Sequence, residues 1–259
     1  MPNLVGFLDV FGAPAIRKYK TSNTIIDSCL TIGYDLIEFP MLEQLLESQN
    51  DADLFKLIDP VTGKIAILTP DITRQIIRFL RSYYTIDTIK SELKLCYVGK
   101  VARLQSTDPH GNRCLSTCGM EIVNVQNHEK SITEILTNLL QIFEKLNISD
   151  ILIELGNPNF SIQSVDQELI VQNDLTNLFA NNQHVLKTCK TVHDQFKRDI
   201  EFCFNTECKT DRSIHYADFV FSIYSKENRN LIAKGGQYLI DLHGSRINCC
   251  GATIYTDNI

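Results

Sequence analysis

Hydrophobic and polar positions alternate along this chain with two different periods. After Pro14, the run AIRKYKTSNTIIDSCLTIG carries Ile16, Tyr19, Ile26 and Leu30 near helical spacing and stops at Gly33. YDLIEFP then alternates as a strand and ends at Pro40. FKLID and KIAILTP flank the turn Pro60-Val61-Thr62-Gly63, which predicts a hairpin. DITRQIIRFLRSYY reads as an amphipathic helix with Asp71 at its favoured N-terminal end. KLCYVGKVARL and CLSTCGMEIVNV read as strands joined by the polar turn STDPHGNR.

The longest helical period lies in EKSITEILTNLLQIFEKLNI. There Ile132, Ile135, Leu136, Leu139, Leu140, Phe143 and Leu146 form one apolar stripe. It leads into the strand DILIELG. Residues 158 to 212 are more polar and predict two or three short helical pieces. HYADFVFSIYS, NLIAKGGQYLIDL and INCCGATIYT close the chain as strands. Neighbouring strands joined by short turns, with a few long helices between them, predict an α+β fold around a mainly antiparallel sheet. No repeat or low-complexity segment interrupts it.

Composition narrows the function. The chain has 259 residues, 44% of them hydrophobic, and a net charge of −6. That is a globular composition without the basic footprint of a general nucleic-acid binder. Apolar runs fall short of a membrane span, and the N-terminus has no basic region ahead of an apolar stretch. A cytoplasmic location without a secretory leader is the expectation. Nine cysteines at irregular spacing read as free, buried thiols. Two looser groups, Cys114 and Cys118 with His110, and Cys189, His193, Cys203 and Cys208, lack zinc-site spacing, so no metal is expected.

Three features carry candidate chemistry. Gly235 and Gly236 interrupt a strand-like run and are followed by Gln237, Tyr238 and Leu239. A phosphate loop opens a helix, so this pair reads instead as a strand bend or a close backbone approach. Arg103 and Arg113 bracket a hairpin loop and fit either an anion clamp or two solvated loop arginines. Glu43 and Glu121 would hold an ammonium group if turned inward, and would be surface carboxylates otherwise.

The ordered segments resemble the class II core of histidyl-tRNA synthetase and its paralogue, the regulatory subunit of ATP phosphoribosyltransferase. VGFLDVFGAP resembles the family's Gly-x-x-Asp-x-x-x-Pro opening. GYDLIEFPMLE with the preceding helix is similar to motif 1, and LTPDITRQIIR to the Leu-Arg-Pro-Asp/Glu-x-Thr segment with Thr69 in place of arginine. YVGKVARLQ through GME resembles motif 2. HYADFVFSIY, GGQYLIDL and CCGATIYTDNI resemble the Tyr-Tyr-Thr-Gly-x-Val-Phe-Glu segment, the Gly-Gly-Arg-Tyr-Asp loop and a shortened motif 3.

The resemblance implies a class II synthetase-like core over residues 1–259, with a poorly matched insertion near 158–212 and no anticodon-binding domain. Several family residues are replaced. Asn258 stands at the motif 3 arginine, Gln237 and Leu239 at the arginine and aspartate of the glycine loop, Gln105 at a motif 2 glutamate, and Thr117 at a glutamine. Arg212 is a shifted counterpart of an arginine whose own place falls near Ser213 and Ile214. Loss of fixed cations removes stabilisation of the charge that redistributes during adenylate formation.

The implied protein is noncatalytic. It is a regulatory subunit in histidine biosynthesis that activates a short catalytic partner, with no cofactor and no tRNA charging. Glu43, Arg103, Glu121, Tyr216 and Tyr238 are the implied histidine-binding residues. A homodimer is expected through motif 1, with Ile25, Ile26 and Cys29 adding apolar surface beside the Ile16 stripe. Burial of those three against the protein's own sheet is the competing expectation. The competing function is a synthetase-like scaffold unconnected with histidine biosynthesis.

Overall fold

Strand β6, Cys114–Val123, is buried at every position after its first. A strand covered on both faces belongs at the centre of a sheet with a layer on each side. The computed structural model describes residues 3–45, 54–104, 111–158, 172–179, 182–196, 200–205 and 215–259. Its elements in chain order are α1 (Ala13–Thr31), β1 (Asp35–Ile37), β2 (Leu42–Gln44), β3 (Lys56–Ile58), β4 (Ile65–Leu68), α2 (Ile72–Tyr83), β5 (Leu93–Ala102) and β6. They continue with α3 (His128–Lys145), β7 (Ile151–Gly156), α4 (Leu175–Leu178), α5 (Gln183–Gln195), β8 (Ile200–Phe204), β9 (His215–Ser225), β10 (Leu231–Leu242) and β11 (Ser245–Tyr255).

The main sheet has eight strands in the order β1-β5-β6-β11-β10-β9-β7-β8, and β2-β4-β3 form a smaller sheet. Pairing in the main sheet is antiparallel except at its two edges, where β1 runs parallel to β5 and β8 parallel to β7. The period-2 rule divides the central strands between two cores. Cys118, Met120, Ile122, Cys250, Ala252 and Ile254 join α1, α3 and α5 on one face. Leu115, Val123, Tyr238, Ile240, Ile247 and Cys249 join α2 on the other. The helical stripe on α3 is buried as its spacing predicts, from Ile132 to Phe143.

Local chemistry fixes the helix ends. Asn127 accepts a hydrogen bond from Lys130 N at the start of α3, and Asp71 accepts one from Thr73 N at the start of α2. At the end of α1, Gly33 N donates to Leu30 O and Tyr34 N to Cys29 O, with Gly33 at φ +87°. This is a Schellman closure, and its left-handed residue favours glycine.

Three elements depart from the sequence pattern. β2 forms at Leu42–Gln44, where no strand is signalled, because it pairs with β4. β8 forms inside the polar 158–212 stretch, whose helices α4 and α5 agree with expectation. Of the α1 stripe only Ile26 is buried. Ile25, Ile26 and Cys29 are buried against the sheet, whereas Ile16, Tyr19 and Leu30 are exposed. The core-facing reading of Ile25, Ile26 and Cys29 is the correct one.

Leu139 is fully buried at the centre of the α3 stripe. Leu139→Ala should lower stability by about 3 kcal/mol, read as a shifted urea midpoint with an unchanged slope.

Candidate functional site

The face of the sheet beneath α2 carries a polar cleft where its strands run short of side chains. On β10, Lys234, Gly236 and Tyr238 share that face by alternation. Gly236 is registered against Gly251 of β11, and Gly251 against Glu121 of β6. A Cβ on Gly251 would sit 1.6 Å from Glu121 Oε2, so Gly251 gives the carboxyl the space it occupies. A Cβ on Gly236 would meet the β9 backbone, at 2.5 Å from Phe219 O. The glycine pair is thus a close backbone approach in a strand, as its local sequence suggests. The cleft holds about 30 Å³ and is lined among others by Asp71, Thr73, Glu121, Tyr216, Lys234 and Tyr238.

Glu121 anchors this cleft. Thr73 Oγ1 donates to its Oε1 at 3.1 Å and the Tyr238 hydroxyl donates to its Oε2 at 2.8 Å. The residue is only 2% exposed. Burial disfavours its charged form and pushes its pKa up to about 8, against the pull of its two hydroxyl donors. At neutral pH the group is therefore mostly a neutral acid. Beside it the Tyr97 and Thr253 hydroxyls are 2.7 Å apart. Burial raises the phenols of Tyr97 and Tyr238, so both remain neutral donors.

The structure brings Glu121, Tyr216 and Tyr238 together and separates them from Glu43. Glu43 lies on β2 of the smaller sheet, with Arg78 Nε 3.7 Å from its Oε2. Desolvation raises its pKa, while Arg74 and Arg78 oppose the rise. Its other oxygen, Oε1, is buried without a hydrogen-bond partner. Glu43 turns inward, toward the arginines of α2. Asp71 supplies the second cleft carboxyl instead.

Arg103 begins the loop after β5. Its Nε is 3.4 Å from Pro70 O, and its charge is felt by Lys234. Arg113 is no clamp partner for it. The Arg113 guanidinium stacks 4.5 Å from the Phe55 ring centre and bonds Val5 O, bracing the N-terminal segment.

Two replaced family positions lie away from the cleft. Gln237 points to the opposite face, with its Nε2 2.8 Å from His128 Nδ1 at the start of α3. Asn258 donates to Leu231 O at 2.7 Å, and its Oδ1 is buried without a partner. Thr117 is buried, with its hydroxyl 3.4 Å from Gly99 O. Gln105, His110, Cys208, Arg212, Ser213 and Ile214 lie outside the described residues. Among the described residues no group of three or more His, Cys, Asp or Glu is arranged to hold a metal ion, and eight cysteines are free thiols.

Asp71, Thr73 and Lys234 are the cleft residues that sequence reasoning missed. Asp71 and Thr73 were legible in LTPDIT, whose Asp and Thr match the family segment. Lys234 was legible by alternation from Tyr238.

The sign of the Glu121 effect follows from linkage. A carboxyl with a higher pKa in the folded state holds its proton where the unfolded chain has released it. Folding stability then falls as pH rises from near 4.5 to about 8. Glu121→Gln, which mimics the neutral acid, should remove a pH-dependent loss of roughly 4 kcal/mol across that window. Urea unfolding at both ends of the window, in both proteins, measures it.

Residues 6–181 match the family profile described as "Histidyl-tRNA synthetase". A protein named ATP phosphoribosyltransferase regulatory subunit from Thermoanaerobacter sp. (strain X514) is 29% identical over 168 residues, covering 62% of this chain and 42% of that protein. One of the same name from Alkaliphilus metalliredigens is 24% identical over 269 residues, covering 83% of this chain and 66% of that protein. The chain thus spans less than two thirds of the length of these relatives. Among solved structures, an ATP phosphoribosyltransferase regulatory subunit/histidyl-tRNA synthetase from Bacillus halodurans C superposes with a TM-score of 0.75 at 16% identity, covering 99% and 81% of the two chains. A chain of the ATP phosphoribosyl transferase (HisG:HisZ) complex from Thermotoga maritima gives 0.69 at 14% identity, covering 92% and 97%. These likenesses establish the class II synthetase-like fold, and with the match over residues 6–181 this chain belongs to the histidyl-tRNA synthetase family.

Proposed function

We propose that this chain is a noncatalytic regulatory subunit of ATP phosphoribosyltransferase, acting in histidine biosynthesis by contact with a short catalytic partner in the cytoplasm. The observation that carries the reading is the closed cleft. Pockets for nucleotides and drug-sized ligands commonly hold 300–1,000 Å³. Here the corresponding space is about 30 Å³, with Lys234 among the residues that line it. So small a space supports a noncatalytic role over the binding of an aminoacyl adenylate. The relatives' names give the direction, since they are regulatory subunits of a phosphoribosyltransferase. No helix among the described residues is long and apolar enough to cross a membrane.

The reading extends to assembly. Val5, Leu8, Phe11, Ile16 and Tyr19 are 56–91% exposed along the N-terminal segment and the outer stripe of α1. That much large apolar surface is unusual on a monomer and fits a self-associating face. We place the homodimer contact there, on the stripe opposite Ile25, Ile26 and Cys29. We assign histidine sensing to Glu121, Tyr216 and Tyr238, with Arg103 at the rim and without Glu43.

Two measurements test this. Added to a purified short-form catalytic subunit, the chain should co-elute with it and raise its rate of phosphoribosyl-ATP formation, with no amino-acid-dependent ATP–pyrophosphate exchange. Failure to co-elute or to change the rate would sink the regulatory reading, and any such exchange would sink the noncatalytic one. In sedimentation, the wild type should run as a dimer and the double variant F11D/Y19D as a folded monomer. A monomeric wild type would remove the homodimer.

A further inference from the structure

A second hollow lies away from α2, on the side of the main sheet covered by α1 and α3, where β5 begins. It holds about 630 Å³, within the 300–1,000 Å³ usual for small-molecule pockets and far more than the cleft beneath α2. Three segments line it: the turn from α1 into β1 with Gly33 and Asp35, residues 90–94 ahead of β5, and the start of α3 with Lys130.

These segments are held by bonds of their own. Glu92 Oε1 accepts from Gln126 N at 3.0 Å, which ties the second segment to the third. Asn124 Nδ2 donates to Ile89 O at 3.1 Å, and Ile89 is buried, so the chain is anchored just ahead of Lys90. The Lys94 ammonium lies 2.7 and 2.8 Å from the two oxygens of Glu134 on α3, and the Tyr34 hydroxyl donates to the same carboxylate at 3.0 Å. Asn127 already caps Lys130 N, so the end of α3 is satisfied within the chain. The hollow therefore has a set shape without a ligand.

Three charged groups are left over from this network. Among the described residues, the Lys90 and Lys130 ammonium groups and the Asp35 carboxylate have no ion-pair or side-chain hydrogen-bond partner. They line one space without pairing with each other. Two free lysines alone would suit an anion, but Asp35 and Glu92 put negative charge on the same walls. An anion meets those carboxylates, and a simple amine meets the lysines. A molecule that carries both charges meets neither objection.

We propose that this hollow binds a small zwitterion the size of an amino acid or dipeptide, its carboxylate toward Lys90 and Lys130 and its ammonium toward Asp35. The helix ends reinforce that polarity. α1 brings its negative C-terminal end next to Asp35, and α3 has its positive N-terminal end at Lys130. The inference rests on neither the regulatory reading nor the cleft, and its test uses the chain alone, so each can fail while the other holds.

Titration of the full chain with glycylglycine, followed by backbone amide shifts, tests it. Shifts should cluster around Gly33, Lys94 and Asn127, spare Glu121 and Gly251, and saturate with a dissociation constant on the order of 1 mM. N-acetylglycine lacks the ammonium and glycinamide lacks the carboxylate. Each should bind at least about tenfold more weakly than glycylglycine. K90A/K130A and Asp35→Asn alter exposed side chains, so both proteins should keep the wild-type amide spectrum and lose about tenfold in affinity. No saturable shifts, shifts confined to the cleft beneath α2, equal affinity for a singly charged analogue, or unchanged affinity in either variant would each overturn the proposal. The analogue comparison needs only the wild type, so it decides even where a variant fails to fold.

Discussion

A carboxyl group is buried in the middle of a β-sheet, and much of the surrounding architecture answers to it. Glu121 sits on β6, where both faces of the strand are covered. Its side chain lies across Gly251, where any β-carbon would overlap it. Its oxygens are satisfied by two hydroxyls from different elements, Thr73 of α2 and Tyr238 of β10. A buried polar group left unpaired costs about 1–3 kcal/mol, so these bonds constrain where α2 rests on the sheet. Burial in turn holds the acid mostly neutral near pH 7. The neutral form avoids the larger penalty of enclosing an unpaired charge.

The two faces of the sheet differ in what they demand. Beneath α1, α3 and α5 the core is continuous, apart from thiols and small groups that behave as hydrophobes. Beneath α2 the apolar packing ends at the cleft, and polar groups must find partners. They find them within the chain: hydroxyl to carboxyl and hydroxyl to hydroxyl. A site whose polar groups are already paired gains little from an incoming ligand, because each new contact replaces an existing one. That is the physical ground for reading this face as one that has stopped doing chemistry.

Most of the fold was legible because it rests on periodicity. The α3 stripe, the β3–β4 hairpin, the β5–β6 pair and the three closing strands all follow from spacing that survives burial. The misses share a cause. β2 and β8 are short segments defined by their partners, β4 and β7, and a one-dimensional pattern does not carry pairing. Only Ile26 of the α1 stripe is buried, because both sides of that helix are apolar and periodicity could not rank them. In the site, Glu121, Tyr216 and Tyr238 converge, while Glu43 lies on the smaller sheet beside Arg78 of α2. Motif matching places a residue along the chain, but the direction of its side chain depends on strand pairing. Asp71 was read as a helix cap, and it is one, but the same carboxylate also faces the cleft.

The replaced residues do not all weigh equally in the functional reading. Gln237 turns to the α3 face and bonds His128, so its identity has no bearing on charge in the cleft. Asn258 follows β11 and ties itself to the start of β10 through Leu231 O. The stronger ground is occupancy. A missing cation weakens binding of a phosphate, and a neighbouring arginine is able to compensate for it. A filled cavity excludes the nucleotide whatever charges surround it, because close-packed interiors yield only at a cost in strain. Lys234 on β10 is among the residues that line the cleft, and the strands packed around it limit the space there. The noncatalytic reading therefore rests more securely on what the cleft contains than on the arginines it lacks.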